Sequence, residues 1–340
     1  MRESINIGLV VYELTDACNQ ACRFCYNYWK GEECYAKPDA PNFRQARRTL
    51  RKLLRQASVG SISFSGGEPM LMPRIHDLAF RARLSGAQVN ILTNGTCLKD
   101  DDIEIFENLG ITAIQIPILA PTAELHDHIT QLAGSWERAM AAARKVAQVG
   151  SGWLVPVLIL NKLNAPYIED ILTLYHSAFG TTRAMVNRFN IGGLGKHHAA
   201  ELSLTKSELK EAFHRVDRKA GELGMQIHNG VCTPLCVLNP KEYRNVTFTH
   251  CTTDLTTRPL TVNYRGEVRF CNHSPRILGN IYDRPLSEIL ATTQHEGYFD
   301  SVPTLCGDCK HWERCRGGCR AAAEQLYGTF AMPDPIISQP

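Results

Sequence analysis

The composition is that of an ordinary folded protein, with 340 residues of which 44% are hydrophobic and 21% charged. The 37 basic and 34 acidic residues leave a net charge of +3 and form no dense basic block, which argues against nucleic-acid binding. No run of about 18 apolar residues could cross a membrane, and the N-terminus lacks a signal-peptide pattern, so we expect a cytoplasmic protein without a membrane partner.

Short β-branched apolar runs alternate with longer amphipathic segments over the first 190 residues. The runs predict six strands, at residues 5–14, 60–64, 88–92, 112–119, 153–160 and 184–189. Several amphipathic segments between them end in glycine, a common helix stop. Six strand–helix units in series predict an α/β fold of parallel strands with right-handed crossovers, either an open barrel or a doubly wound sheet.

The first of these strands is followed directly by three cysteines. Cys18, Cys22 and Cys25 form a CxxxCxxC run, with Phe24 before the third cysteine. A structural zinc or a closed cubane takes four protein ligands, whereas three thiolates leave one metal corner open for an exogenous molecule. The open corner therefore indicates a cluster that takes part in a reaction and does not only stabilise the fold. From this run alone, a zinc site completed by a distant residue remains the alternative.

A glycine-containing turn follows the second strand, with the sequence Ser65, Gly66, Gly67, Glu68 and Pro69. The two glycines let the backbone approach a ligand closely, and Glu68 is able to accept hydrogen bonds from an ammonium group. Ligands of parallel α/β folds bind at the carboxyl ends of strands, which is where this turn falls. By itself it also fits an ordinary strand-to-helix turn.

Taken together, the cysteine run and the GGEP turn resemble the radical S-adenosylmethionine (SAM) superfamily. The resemblance implies a partial (β/α)6 TIM-like barrel, a [4Fe–4S] cluster on the three cysteines, and SAM bound at its open corner. It implies reductive cleavage of SAM to a 5′-deoxyadenosyl radical, which takes a hydrogen atom from the substrate. The cofactor-binding residues implied by this resemblance are Phe24, Ser65, Gly66, Gly67, Glu68, Pro69, and Thr93 and Asn94 of a TNG turn after the third strand.

Two positions depart from the pattern of that superfamily. Residues 117–120 read PILA where many relatives have a Ser-Leu-Asp-Gly turn, and Thr130 stands where an arginine is often found. The polar contacts to SAM that these positions supply elsewhere must be absent or replaced. Asn161 and Arg188, at the ends of later strands, are candidate ribose ligands, with a structural role as the alternative.

The chain changes character in its last third. From about residue 230, short strand and loop signals replace the alternation, and eight of the thirteen cysteines occur there. We place a domain boundary near residue 225, which gives a core domain at 1–225 and a cysteine-rich α+β domain at 226–340. Grouped cysteines in an intracellular chain favour metal clusters over disulfides, and clusters commonly stabilise regions with a small apolar core.

Six of these cysteines, with Gly266, resemble the SPASM extension of radical SAM enzymes, which carries auxiliary iron–sulfur clusters. The spacing reads Cys251, Gly266, Cys271, and then CxxCx5CxxxC over residues 306–319. The resemblance implies one or two auxiliary [4Fe–4S] clusters. The nearer cluster would take Cys251, Cys271 and Cys319, and the farther one Cys306, Cys309 and Cys315.

The SPASM pattern closes with one further cysteine, which this chain lacks after Cys319. Cys232 and Cys236 raise the cysteines of the last third to eight, enough for two sets of four. We assign Cys236 to the nearer cluster and Cys232 to the farther one, with one ligand and one buried free thiol as the alternative. Cys34 and Cys97 have no partner at ligand spacing and are interpreted as core or loop thiols.

SPASM relatives mostly modify peptides or proteins, so cross-linking or oxidation of a peptide is the leading hypothesis. The chain starts a few residues before its first strand, so we expect any leader-binding protein to be separate. A flavodoxin or ferredoxin-type protein is the expected electron donor. The alternatives are a small-molecule or cofactor-pathway enzyme of the decarboxylase, dehydrogenase or epimerase type, and a non-catalytic zinc or iron–sulfur protein.

No residue is predicted as a general acid or base. The histidines at 197, 198 and 250 are expected to be solvated or structural. Tyr28 and Trp312 lie beside the cysteine groups and are predicted to shield clusters from water.

Overall fold

Parallel strands alternate with helices through the first half of the computed structural model, which describes residues 5–31, 40–150, 152–252, 258–293 and 301–338. Cys34 lies outside these residues. The first six strands are β1 (Ile5–Glu13), β2 (Ala57–Ser65), β3 (Gln88–Leu92), β4 (Ala113–Pro117), β5 (Leu154–Leu160) and β6 (Arg183–Arg188). All six strands predicted from the apolar runs are confirmed, and β2 begins at Ala57 instead of at residue 60.

In the described part of the chain, eight α-helices accompany these strands or follow them closely. They are α1 (Phe43–Gln56), α2 (Ile75–Leu84), α3 (Asp100–Asn108), α4 (Ala123–Thr130), α5 (Ser135–Val149), α6 (Ile168–Phe179), α7 (Ala199–Leu202) and α8 (Lys206–Leu223). Local sequence explains their ends. The Asn42 side chain accepts from the Gln45 N–H at the start of α1, and Thr205 and Glu208 form a capping box at the start of α8. Gly224 ends α8 in the left-handed conformation.

The strand order decides between the two architectures left open by the sequence. Strands β1 to β6 are neighbours in chain order and all pair in parallel. A doubly wound sheet reverses its order at a switch point, whereas sequential parallel strands are the arrangement of a (β/α) barrel. Because β1 and β6 each pair with a later strand, the barrel is open. The predicted partial barrel is confirmed.

The last third of the chain extends this sheet at both edges. Its elements are β7 (Gln226–Asn229), β8 (Val246–Phe248), β9 (Pro259–Asn263), β10 (Glu267–Arg269), β11 (Gly279–Asn280), α9 (Leu286–Thr293), α10 (Trp312–Cys315), α11 (Arg320–Tyr327) and α12 (Pro335–Ser338). Strands β7 and β8 continue the parallel pairing beside β6, while β9 pairs with β1 in parallel and leads into antiparallel β10 and β11. Since the sheet continues past residue 225, the boundary proposed there divides sequence regions that share one sheet.

Helices such as α1 cover the sheet with one apolar face. Ala46, Leu50 and Leu53 of α1 are buried against the sheet, and the Tyr12 hydroxyl of β1 donates to the Ala46 carbonyl at 2.6 Å. This packing fixes β1 and places the loop after it at the carboxyl edge of the strands. Within the described residues, no helix is both long and apolar enough to cross a membrane.

Candidate cluster and cofactor sites

The CxxxCxxC cysteines lie together in the loop after β1. Burial is the main cause that raises the pKa of Cys22 well above its ordinary value, and the charges of Cys25 and Cys18 raise it further. The Cys25 N–H donates to the Cys22 carbonyl at 3.0 Å, and the Cys22 thiol donates to Oε1 of Gln20 at 3.1 Å. The structure thus brings the three predicted ligands close enough to perturb one another.

A lysine that the sequence did not single out lies against these thiols. Lys30 is buried, and its ammonium group donates to the Gln20 carbonyl at 2.9 Å. Burial raises the pKa of Cys25, and the charge of Lys30 opposes that shift. A buried cation beside thiols favours the thiolate, which is the form that binds iron.

The two glycines of the GGEP turn are required by the cysteine loop itself. The Gly67 N–H donates to the Thr15 carbonyl at 2.7 Å, and the Glu68 N–H donates to the Ala17 carbonyl at 2.8 Å. Gly66 has a φ of +129°, and a Cβ there would lie 2.4 Å from the Thr15 oxygen. A Cβ on Gly67 would lie 2.1 Å from the Ala17 oxygen. Any side chain at either position would push the two loops apart.

Glu68 joins the GGEP turn to the TNG turn. Its side chain is 1% exposed. Oε1 accepts from the Met70 N–H at 3.0 Å and from the Thr93 hydroxyl at 2.5 Å, and Oε2 accepts from the Asn94 N–H at 2.8 Å. Burial raises the pKa of Glu68, and these three hydrogen bonds oppose the shift. The carboxylate therefore fixes both turns and keeps acceptor capacity on Oε2 for an ammonium group.

Asparagine side chains connect the TNG turn to the cysteine loop. Asn94 Nδ2 donates to Asn19 Oδ1 at 2.8 Å, and Asn19 Nδ2 donates to the Thr96 hydroxyl at 2.7 Å. Asn19 Nδ2 also lies 3.4 Å from the Cys97 sulfur. Cys97 is thus a loop thiol beside the cysteine run, at a position that no spacing along the chain indicated.

The other predicted cofactor residues have defined places around these turns. The Ser65 carbonyl accepts from the Leu14 N–H at 2.9 Å, which continues the β1–β2 pairing into the cysteine loop. Pro69 is buried and begins a single 3-10 turn. The Phe24 ring packs on an apolar cluster formed by Phe189, Ile191 and Leu202.

The PILA segment at residues 117–120 is packed inside the protein. Its carbonyl groups accept from the Tyr175 hydroxyl at 2.6 Å, from Asn164 Nδ2 at 3.1 Å and from Trp136 Nε1 at 3.2 Å. The Leu119 N–H donates to Nδ1 of His126, whose burial lowers its pKa to about 4. Side chains of the fold thus bind the backbone of this segment.

Asn161 and Arg188, the candidate ribose ligands, are both engaged in internal contacts. Asn161 Nδ2 donates to the Ile159 carbonyl at 2.9 Å, and its Oδ1 accepts from the Leu163 N–H at 3.0 Å. Arg188 forms a buried ion pair with Asp334. The structural alternative fits the observed contacts of both residues.

Four cysteines of the last third gather into one group, which we call the nearer group: Cys232, Cys251, Cys271 and Cys319. The thiols of Cys232 and Cys251 share a hydrogen bond, and Cys232 also interacts with Cys319 and Cys271. This hydrogen bond, aided by nearby arginines, lowers the pKa of Cys251 to about 7, whereas burial raises the pKa of Cys319 to about 12. The group joins loops that follow strands at both edges of the sheet, β7 and β8 on one side and β10 on the other.

A second set of four, the farther group, consists of Cys236, Cys306, Cys309 and Cys315. Cys236 interacts with Cys315 and Cys309, and Cys306 interacts with all three of the others. Cys236 and Cys309 are exposed, so this group lies at the surface. The assignment of Cys236 to the nearer set and Cys232 to the farther one was wrong, because the short segment between them places the two thiols in different groups.

Several other predictions concern single side chains near these groups. The Tyr28 ring lies under the Arg269 guanidinium at 4.9 Å, and the Trp312 ring lies under Arg316 at 5.5 Å. His198 is 3.4 Å from Glu201 at the surface. His273 was missed by the sequence analysis; its ring is buried and lies tilted against the Tyr26 ring, with the ring centroids 4.4 Å apart.

Comparison with known proteins covers both cysteine regions. A model of the radical SAM superfamily matches residues 12–174, and a model of an iron–sulfur cluster-binding domain, SPASM, matches residues 251–316. The chain belongs to the radical SAM superfamily. The predicted superfamily and SPASM extension are therefore confirmed, and the chain is an enzyme of this superfamily.

Three similar proteins extend this result over nearly the whole chain. The PqqA peptide cyclase of Gluconobacter oxydans is 27% identical over 96% of this chain and 89% of its own length. The AdoMet-dependent heme synthase of Oleidesulfovibrio alaskensis is 24% identical over 97% of this chain and 87% of its own. The solved structure of native anSMEcpe with bound AdoMet and the Cp18Cys peptide has a TM-score of 0.71 at 15% identity, covering 98% of this chain and 94% of that one.

The donor sets of this radical SAM enzyme fit its iron–sulfur cofactors. Among the described residues, no three His, Cys, Asp or Glu side chains meet closely enough to hold one metal ion. A multinuclear cluster binds each thiolate at a separate iron, so its ligands need not converge on a single point as those of one zinc ion do. Three thiols beside the GGEP turn, and two groups of four thiols, match in number the donors that one open and two closed clusters require.

One glutamine holds the separate sites of the enzyme at fixed positions. Gln325 Nε2 donates to the Tyr26 carbonyl at 3.1 Å and to the His273 carbonyl at 2.6 Å, while its Oε1 accepts from the Gly193 N–H at 2.8 Å. Tyr26 directly follows Cys25, and His273 lies two residues after Cys271. Helix α11 is thereby tied to the loops of the first cysteine run and of the nearer group.

Replacing Gly67 by alanine is expected to reduce kcat/KM for SAM cleavage roughly 10²-fold, because the added Cβ displaces the GGEP turn from the cysteine loop. The rate of 5′-deoxyadenosine formation, measured against SAM concentration, checks this. Gly150→Ala is the matched control, since Gly150 is extended and a Cβ there meets nothing within 4 Å. Equal rates for the two variants would show that the close approach at Gly67 is unimportant.

Proposed function

We propose that this radical SAM enzyme acts on a peptide or protein, from which a hydrogen atom is removed to oxidise or cross-link the substrate. The observation that carries the proposal is the similarity to PqqA peptide cyclase, which covers 96% of the chain and so includes both cysteine regions. The two four-cysteine groups support it, because they suit the auxiliary clusters of SPASM enzymes, which mostly modify peptides or proteins. Such clusters would take part in the reaction as well as stabilise the last third of the chain.

The thiols of Cys18, Cys22 and Cys25 are the proposed ligands of the first [4Fe–4S] cluster. SAM is proposed to bind beside the GGEP and TNG turns, with its amino group toward Glu68. When bound, this pair would supply the chemistry, namely reductive cleavage of SAM and removal of a hydrogen atom from the substrate.

The chain itself contributes charge, orientation and exclusion of water. Lys30 favours the thiolate state of the first three ligands, since it is a buried cation beside them. Glu68 holds two turns in register through three hydrogen bonds and presents a buried carboxylate to an ammonium group. The aromatic rings of Tyr28 and Trp29, which pack edge to face at 5.1 Å, are proposed to keep water away from the same loop.

The auxiliary clusters are proposed on the nearer and farther groups as the structure assembles them. Three [4Fe–4S] clusters give about twelve iron atoms per chain. In this assignment Cys236, which precedes the CxxCx5C array, replaces the closing cysteine that the SPASM pattern places after it. The cluster on the nearer group would join both edges of the open sheet.

Replacing both Cys236 and Cys309 by alanine is therefore expected to lower the iron content from about twelve to about eight atoms per chain while SAM cleavage continues. The reason is that the farther group then keeps only two thiolates, whereas the first cysteine run is untouched. Iron and sulfide analysis after anaerobic reconstitution checks the result. An iron content of about twelve in this double variant would contradict the placement of Cys236 in the farther group, because each group would then still have three thiolates.

The substrate proposal is tested by co-expression with short peptides encoded beside this gene. We expect one of them to change mass, by loss of hydrogen atoms, with the wild-type enzyme but not with a Cys18, Cys22 and Cys25 triple alanine variant. The similarity to the AdoMet-dependent heme synthase provides the competing candidate, a small-molecule substrate in tetrapyrrole synthesis. Unchanged peptides, together with decarboxylation of a tetrapyrrole precursor, would favour that candidate.

We further propose a flavodoxin or ferredoxin-type electron donor and a location in the cytoplasm. Both rest on the chemistry of the sites, because SAM cleavage needs a low-potential electron and many thiols must stay reduced. A separate leader-binding protein remains a prediction of the sequence. A pull-down of the anaerobic holoenzyme with the co-expressed peptide would identify it.

A further inference from the structure

A buried asparagine lies directly against a thiol of the nearer group. Asn190 follows β6 by two residues, and its Nδ2 donates to the Cys319 sulfur at 3.0 Å. The two residues are 6% and 8% exposed. Water therefore does not compete for this hydrogen bond, and a polar contact in such surroundings is stronger than one at the surface.

The orientation of the Asn190 amide is fixed by an arginine. Arg188 Nη1 donates to Asn190 Oδ1 at 3.2 Å. A guanidinium group only donates hydrogen bonds, so the amide oxygen must face Arg188. The amide nitrogen then faces Cys319, and the contact with the sulfur is an N–H donated to it.

Arg188 is itself immobilised on three sides. It forms a buried ion pair with Asp334, and it donates to the Thr233 hydroxyl and to the Cys232 carbonyl, each at 3.0 Å. Asp334 Oδ2 also accepts from the Cys319 N–H at 2.7 Å. Asp334, Arg188 and Asn190 thus form a ring of hydrogen bonds that is closed by Cys319. Its backbone N–H binds Asp334, and its sulfur accepts from Asn190.

We propose that Asn190 is a positioning residue that raises the reduction potential of the cluster on the nearer group. The inference rests on the proposed assignment of Cys319 as a ligand of that cluster. A hydrogen bond to a ligand sulfur stabilises the more negative, reduced state, so a donor held in place sets the potential. Since Arg188 is the last residue of β6, the same ring of hydrogen bonds anchors the Asn190 amide to the barrel.

The test is a redox titration of the anaerobic holoenzyme, followed by electron paramagnetic resonance. Asn190→Leu keeps the side-chain shape and removes the donor. We expect one of the three midpoint potentials to become more negative, at an iron content unchanged from about twelve atoms. Asn187→Leu is the matched control: it makes the same replacement on β6, where Asn187 Oδ1 accepts from the Gly230 N–H at 2.7 Å, and should leave all three potentials in place.

Unchanged potentials in Asn190→Leu at full iron content would overturn the inference, as would an equal shift in the control. If the leucine variant loses iron, Asn190→Ala is titrated in its place, because it removes the donor without adding bulk or charge, and the same criterion applies. A wild-type iron content of about eight would instead show that an auxiliary cluster is missing. If such a sample also shows the same potentials in the wild type and in Asn190→Leu, the missing cluster is the one on the nearer group, and the ligand assignment of Cys319 fails together with the inference, while SAM cleavage is judged separately.

Discussion

Replacing Cys22 by alanine is expected to abolish 5′-deoxyadenosine formation from SAM and to lower the iron content by about four atoms per chain. Cys22 is the central thiol of the three that lie together after β1, and its loss leaves two thiolates for a cluster that needs three. The auxiliary clusters use other cysteines and should remain. Chromatography of the product after reduction with dithionite, with iron analysis on the same sample, measures both quantities.

Cys97 supplies the matched control for that experiment. Its sulfur lies beside the same loop, 3.4 Å from Asn19 Nδ2, but it belongs to none of the three proposed ligand sets. Cys97→Ala should therefore retain both the iron and SAM cleavage. Product formation by Cys22→Ala at the wild-type rate would contradict the assignment of the first cluster, and equal losses in both variants would mean that the ligand set is wrong.

The second large effect concerns a buried ion pair that ties the last third of the chain to β1. Arg269 of β10 is 0% exposed and pairs with Glu13, the last residue of β1. Arg269 also donates to the Ser274 carbonyl at 2.8 Å and lies over the Tyr28 ring. Arg269→Met would leave the Glu13 carboxylate buried without its cation, which costs about 3–5 kcal/mol of the free energy of unfolding.

Thermal unfolding of the anaerobic holoenzyme measures this cost as a lower Tm. Lys145→Met is the control, because Lys145 pairs with Asp100 at the surface, where the two side chains are 49% and 70% exposed. Exposed pairs contribute about 1 kcal/mol or less, so the control should unfold close to the wild-type temperature. Similar shifts in the two variants would show that burial of the Arg269 pair adds nothing.

Hydrophobic periodicity predicted the barrel well because each strand has its own run of β-branched residues. The six runs gave the strands to within a few residues, and the GGEP and CxxxCxxC turns fell at the carboxyl ends where ligands of such folds bind. Periodicity could not exclude a doubly wound sheet. That decision required the pairing order of β1 to β6, which follows the chain without a switch point, and the openness of the barrel followed from the strands of the last third that pair with β1 and β6.

The auxiliary groups show why spacing along the chain fails as a guide to ligand sets. Cys232 and Cys236 are four residues apart, but Pro234 between them packs against Gly318, and the two thiols belong to different groups. Contacts between distant segments decide this division. Asn190 and Gln325 were missed for the same reason, since their partners lie 129 residues and more than 50 residues away along the chain.

The most direct test of the central claim is SAM cleavage by the reconstituted wild-type chain. With about twelve iron atoms loaded and dithionite as reductant, we expect 5′-deoxyadenosine to form from SAM, and its formation to increase when the peptide substrate is added. Absence of 5′-deoxyadenosine from a fully loaded sample would contradict the account.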